Sequence, residues 1–262
     1  MDLQLRNRRA LVLASSRGLG LGVASALVAE GAHVLLTGRD AARLQSAAEA
    51  LSSSGPGRAD WVTCDLSKKG AVDTLVGAVA DKMGGIDILV NNSGGPAPGP
   101  VAASQPDQWQ AGFGMMVEPL VALTHALLPQ MRAQKWGRIL TLGSSGVEQP
   151  IPNLGISNSL RGALAGWSKT LAAEVAGEGV TANMLIPGRI HTDRVDELDA
   201  AAGARSGLTQ AEVAAASRAT IPAGRYGRIE EFAAVAAFLV SGAASYVTGS
   251  IVRCDGGMIR GI

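Results

Sequence analysis

Aromatic residues make up only 3% of the 262-residue chain and charged residues 17%, with two cysteines and three histidines. Each shortage narrows what the chain is. With rings scarce and 34 glycines present, helices and strands must pack at close range. Cys64 and Cys254 are too few and too far apart for a disulfide framework, and they read as buried thiols of a reducing compartment. A formal net charge of +1, with no run of like charge, gives no electrostatic reason to expect nucleic acid or an anionic membrane as partner. No apolar run reaches the length of a membrane span, and "MDLQLRNRR" leads straight into "ALVLA" without a leader-like segment. No cluster of residues looks like a metal site. The expectation is a soluble cytoplasmic protein.

What is present is a 47% hydrophobic composition, enough for a large core. Short apolar runs at 9–14, 33–38, 61–64, 86–92, 137–143, 180–188 and 250–257 lack polar alternation, as strands do when both sheet faces are covered. Helical patterns at 19–30, 41–51, 71–83, 109–133, 156–176 and 230–240 lie between them. This succession predicts an α/β fold: one Rossmann-type, doubly wound domain over 1–262, with about seven parallel strands flanked by helices. The stretch 189–222 reads as irregular and long enough to be a lid. Pro119, inside the 109–133 pattern, predicts a kink.

After the first strand, "ASSRGLGLG" (14–22) opens a helix. Small residues there let the backbone turn tightly and bring N–H groups to a pyrophosphate. Ser15, Ser16, Arg17, Gly18, Leu19 and Gly20 are the candidate contacts, and simple strand–helix packing is the plain alternative. Arg39 ends the second strand where an acidic residue would favour a free 2′-hydroxyl. Its guanidinium suits a 2′-phosphate, with Arg17 as a second cation, so NADP(H) is favoured over NAD(H). Both arginines being ordinary surface groups, or Asp40 neutralising Arg39, is the other reading.

Several motifs together resemble the short-chain dehydrogenase/reductase family, in the branch with the 3-oxoacyl-carrier-protein reductases. "ASSRGLG" is similar to the TGxxxGxG turn, with Ala14 in place of its first glycine. "CDLS" is similar to an adenine-contacting pair, Asp65 and Leu66 here. "NNSG" resembles NNAG, pointing to Asn91, Ser93 and Gly94. "IPGRIHTD" resembles the nicotinamide-holding PG-x-I-x-T, pointing to Pro187, Gly188, Ile190 and Thr192, and "YVTGSIVRCDGG" resembles the C-terminal strand signature. The resemblance also implies a homo-oligomer, dimer or tetramer, and a small-molecule substrate.

The family's catalytic serine, tyrosine, lysine and asparagine map onto Ser144, Ser157, Arg161 and Met116, so one of the four survives. The family's tyrosine exchanges a proton with the substrate oxygen while hydride moves, and its lysine tunes the phenol and binds ribose. A serine hydroxyl is a poor acid and arginine a poor proton relay, yet Arg161 still suits ribose hydroxyls and a developing oxyanion. His191 and Glu148 are the replacement acids to consider; His33 and His125 read as structural. Ser144, Ser157 and Arg161 also resemble an anion cradle, or side chains filling the space of a lost phenol. Three functions stay open: an NADP(H)-dependent oxidoreductase with a non-standard proton-delivery site, a catalytically impaired cofactor-binding protein (sensor or partner subunit), and a non-redox enzyme using the cradle.

Overall fold

The computed structural model describes residues 1–261. Seven strands are present among them: β1 (Arg9–Val12), β2 (His33–Gly38), β3 (Arg58–Thr63), β4 (Ile88–Asn91), β5 (Gly137–Leu142), β6 (Val180–Pro187) and β7 (Ile251–Cys254). They form one parallel sheet in the order β3-β2-β1-β4-β5-β6-β7. The chain winds outward from β1 to β3, returns to the middle at β4, and winds out the other way. The crevice between β1 and β4, beyond the carboxyl ends of the strands, is where such a sheet receives ligands.

Side chains along each central strand divide between two cores with period two. Leu11, Leu35, Leu89, Ile139 and Met184 join helices α3 (Ala71–Met83), α4 (Pro106–Met116), α5 (Glu118–Ala133) and α6 (Gly155–Val175). Their neighbours Val12, Leu36, Val90, Leu140 and Leu185 join α1 (Gly18–Ala29), α2 (Ala41–Ser54) and α9 (Ile229–Leu239). Close packing does replace aromatic bulk: a Cβ on Gly22 of α1 would run into Ile229 Cγ2 of α9.

Two departures from the sequence reading concern helices. The 109–133 pattern is two helices broken at Val117, which has φ −113° and ψ −59°. Pro119 sits in the first turn of α5, where its missing N–H costs nothing and its ring stops α4 from continuing. The combined stretch Pro106–Ala133 is long and apolar enough to cross a membrane by composition, contrary to the expectation above, but half of its apolar 18-residue core segment is buried in the protein.

The stretch 189–222 is not irregular. It folds as α7 (Asp193–Ser206) and α8 (Gln210–Ala219). Gly207 ends α7 at φ +72°, and a capping box starts α8: Glu212 N–H donates to Thr209 Oγ1 while Thr209 N–H donates to the Glu212 carboxylate. Asp199, buried in the middle of α7, accepts from Arg189 (3.3 Å) and from the Tyr226 hydroxyl (2.7 Å).

Candidate active site

The turn after β1 is built around Ala14, which has φ +47°, a conformation that costs an L-residue about 1–2 kcal/mol. Its N–H donates to Thr37 Oγ1 (3.1 Å), and Asn92 Nδ2 donates to the carbonyls of Leu13 (3.2 Å) and Ala14 (3.3 Å). Asn92 therefore clamps the turn from the end of β4. Sequence reasoning passed over it, although the doubled asparagine of "NNSG" was the signal.

Gly18 begins α1 at φ +60°, with open space where a side chain would stand. Gly20 serves packing, since a Cβ there would come within 2.5 Å of Ala14 O. The N–H groups of Gly18, Leu19 and Gly20, in the first turn, have no acceptors among the described residues, and no acidic residue lies in that turn. Free amides at a positive helix end form an anion site.

Ser15 does not contribute a side chain to it. Its hydroxyl is buried, donating to Val12 O (2.7 Å) and accepting from Thr37 N–H (2.9 Å), so that expectation is corrected. Ser16 stands over the end of β2, where its Oγ would lie 3.2 Å from a Cβ on Gly38.

Arg39 follows Gly38 and is exposed, with no carboxylate partner among the described residues. Asp40 does not neutralise it: that carboxylate caps α2 through Arg43 N–H (3.1 Å) and pairs with the Arg43 guanidinium (3.2 Å). Asp65 is held at the end of β3 by hydrogen bonds from the Ser67 hydroxyl and N–H, which lower its pKa, with Arg39 adding to the effect. Leu66 packs against the α3 core. Arg17, the other expected phosphate ligand, instead reaches Glu197 of α7 at 3.4 Å.

On the β4–β5–β6 side the sequence candidates gather beyond the strand ends. Ser144 caps a short 3-10 turn (Ser145–Val147), its Oγ accepting from Gly146 N–H at 3.1 Å. Ser157 and Arg161 lie one turn apart on α6. Arg161 donates through Nη1 to Leu142 O (3.2 Å) and Gly143 O (3.5 Å) at the end of β5. It has no carboxylate partner among the described residues, and burial pushes its pKa down. Met116, expected from the sequence to mark the asparagine position, is fully buried.

Asn158 was also missed: its Nδ2 donates to Ile151 O (2.9 Å), and its Oδ1 packs so tightly over Gly146 that no Cβ fits there, fixing the Ser144 turn against α6. Asn91 turns away from the crevice, donating to Thr124 Oγ1 (3.1 Å). Its side chain is thus part of the core rather than a cleft contact. Ser93 is buried with its hydroxyl unpartnered, and Gly94 faces open space.

Pro187 ends β6, and Gly188 passes so close to β7 that a Cβ would lie 2.6 Å from Asp255 Cα. Ile190 is buried, and Thr192 precedes α7 with no cap bond from its side chain. The possible replacement acids are placed differently. Glu148 is paired with Arg253, and His191 is exposed beside Asp196 at 3.2 Å. His33 sits between Asp60 and Arg58 in the sheet, a structural role as expected. Cys64 and Cys254 are free and half-buried rather than buried, with burial raising both thiol pKa values.

The family described as enoyl-(acyl carrier protein) reductase matches residues 13–259. The chain is 33% identical over 258 residues to the 3-oxoacyl-[acyl-carrier-protein] reductase of Vibrio cholerae, covering 98% of this chain and 99% of that one. The chain belongs to the short-chain dehydrogenase/reductase family. This family member is also 31% identical over 263 residues to D-beta-hydroxybutyrate dehydrogenase of Cupriavidus necator, covering 97% of this chain and 99% of that one. Its fold matches L-sorbose reductase of Gluconobacter frateurii, solved with NADPH and L-sorbose, with TM-score 0.95 and 32% identity across all of both chains. It is thus an oxidoreductase-family protein whose seven-stranded parallel sheet is that of the family.

Proposed function

We propose that the protein is an NADP(H)-dependent oxidoreductase acting on a small carbonyl or alcohol substrate through a non-standard proton-delivery site. The observation that carries this is the unpaired Arg39 beside the free first-turn amides of α1: a guanidinium for a 2′-phosphate and N–H groups for a pyrophosphate. Relatives solved with NADPH support the choice of nucleotide. Ser16, Arg17, Gly18, Leu19 and Gly20 would hold the phosphates, Asp65 and Leu66 the adenine. Ser93, Gly94, Arg161, Pro187, Gly188, Ile190 and Thr192 would border the nicotinamide end, where the unbonded Thr192 hydroxyl suits its amide. When bound, the dinucleotide supplies or accepts the hydride.

The chain's own part is to hold the substrate oxygen. Ser144 keeps its hydroxyl hydrogen to donate because Gly146 N–H already occupies one lone pair of Oγ. Ser157 Oγ has no partner, and Arg161 places fixed positive charge alongside. None of the three is an acid of neutral range, so the proton comes from solvent. Loss of a general acid costs about 10²–10⁴ in rate, which makes this a slow enzyme.

A catalytically impaired cofactor-binding protein is the second reading. It is favoured by one observation: among the described residues the candidate acids are engaged elsewhere, Glu148 with Arg253, Tyr226 with Asp199 and His191 with Asp196. The stretch 189–222 would act as a lid. A homo-oligomer is supported by exposed Phe113 on α4 and by the open edge of β7, where Ile251 and Tyr246 are exposed.

Parallel titration with NADPH and NADH, followed by nicotinamide fluorescence and thermal stabilisation, tests the proposal. Micromolar NADPH binding with much weaker NADH is the expected result; binding of neither ends the oxidoreductase reading.

A further inference from the structure

We infer that the substrate is an anionic carbonyl compound, an oxo acid whose carboxylate is gripped by Arg161. This rests on the oxidoreductase reading and adds the class of substrate to it.

The site is rich in donors and poor in acceptors. Arg161 uses Nη1 on two backbone carbonyls, while its Nε and Nη2 have no acceptor among the described residues. Ser144 has a hydroxyl hydrogen left to give, and Ser157 Oγ is unpartnered. Among the described residues no carboxylate pairs with Arg161, and Glu148, the acid nearest Ser144 in sequence, is paired with Arg253. A guanidinium taken out of water without a counter-charge is costly, and a ligand that supplies the charge recovers that cost on binding. The planar fork fits a carboxylate through two parallel hydrogen bonds.

The loop opposite leaves room for it. A Cβ on Gly95 would meet only Ser157 Oγ, at 3.9 Å, and one on Gly94 would meet nothing. Neither glycine has a positive φ, so the backbone does not require glycine at either position. The absence of side chains there opens the space in front of Ser157. The charge count selects among anions. One uncompensated cation is neutralised by a monocarboxylate, whereas a phosphate dianion leaves excess negative charge in a partly desolvated site. A neutral ketone leaves the cation as it was.

The test is calorimetric titration of the full chain, with and without saturating NADPH, using oxamate, acetamide and inorganic phosphate as probes. Oxamate should bind more tightly than either of the others. Arg161→Met should weaken oxamate binding by about 10–100-fold, the loss expected for a charge-assisted hydrogen-bonded contact. Arg161→Lys, which keeps the charge but not the fork, should fall between. Ser157→Ala gives a second and milder probe, with a loss of several-fold. Unchanged oxamate binding in Arg161→Met, or acetamide or phosphate binding as tightly as oxamate, overturns the inference. Failure of NADPH to bind overturns the functional reading instead, and the oxamate comparison in its absence still decides the anion site.

Discussion

Replacement of Arg39 by alanine separates the two nicotinamide dinucleotides, and the structure sets how far. Arg39 is exposed and has no partner to give up, so a 2′-phosphate would engage it at no internal cost. A hydrogen bond to a charged group contributes about 1.5–3 kcal/mol, and screening at an exposed site brings that to about 1–2 kcal/mol. The dissociation constant for NADPH should therefore rise about 5–30-fold in Arg39→Ala, with that for NADH unchanged. Arg17 differs because it is already bonded to Glu197 at 3.4 Å, in an exposed and therefore weak pair. Arg17→Ala should cost NADPH less than Arg39→Ala, and Glu197→Gln should improve NADPH binding up to several-fold by releasing Arg17. Fluorescence titration at two salt concentrations reads all three variants. Equal losses for NADPH and NADH in Arg39→Ala, or none, refute the assignment of Arg39 to the 2′-phosphate.

Gly22→Ala should destabilise the protein by about 1–2 kcal/mol, because the new methyl meets the stiff β-branched Ile229 and overpacking outweighs the helix-propensity gain; a urea midpoint reads it. Burial works to raise the Asp87 pKa, but bonds from the Arg9 guanidinium and N–H outweigh it and hold the carboxyl below its ordinary value. The native-state depression means Asp87 contributes full stability above about pH 4, the unfolded-state value, and loses it as pH falls through the lower folded value. Asp87→Asn should flatten that acid loss in urea melts at pH 2–5. The triple exchange Ser157→Tyr, Arg161→Lys and Met116→Asn should raise NADPH-dependent carbonyl reduction by about 10²–10⁴ if only the proton relay is missing. No gain in kcat/KM with a bound, reducible substrate would mean the pocket itself has been changed.

The strands were legible because a doubly covered parallel sheet leaves unbroken apolar runs: Ile88–Asn91 and Val180–Pro187 could hardly be anything else. The stretch 189–222 was misread because α7 and α8 carry few apolar residues larger than alanine, and the Thr209–Glu212 capping box was the overlooked signal. Motif matching names candidate residues but not the direction of their side chains. Ser15 and Asn91 belong to recognisable motifs yet point into the interior, where Ser15 Oγ accepts from Thr37 N–H and Asn91 Nδ2 donates to Thr124 Oγ1, its Oδ1 staying unpartnered among the described residues. Asn92 and Asn158 act on backbone carbonyls that meet them only in the fold, so the doubled asparagine of "NNSG" could mark Asn92 but not its partners, and Asn158 carried no comparable mark.

The Tyr226–Asp199–Arg189 contact has a mechanical consequence. A flap attached only at its ends swings like a door, but α7 is fastened near its midpoint by a buried carboxylate. Burial, with the bond to Asp199 adding to it, raises the Tyr226 pKa, so the phenol stays protonated and keeps donating well into alkaline solution. The proposed lid movement of 189–222 would then be a see-saw about Asp199, in which lowering the Glu197 side toward the glycine turn would lift the far end of the helix, near Gly207. Hydrogen exchange should be slowest around Asp199 and faster toward both ends of α7, whether or not a nucleotide is bound.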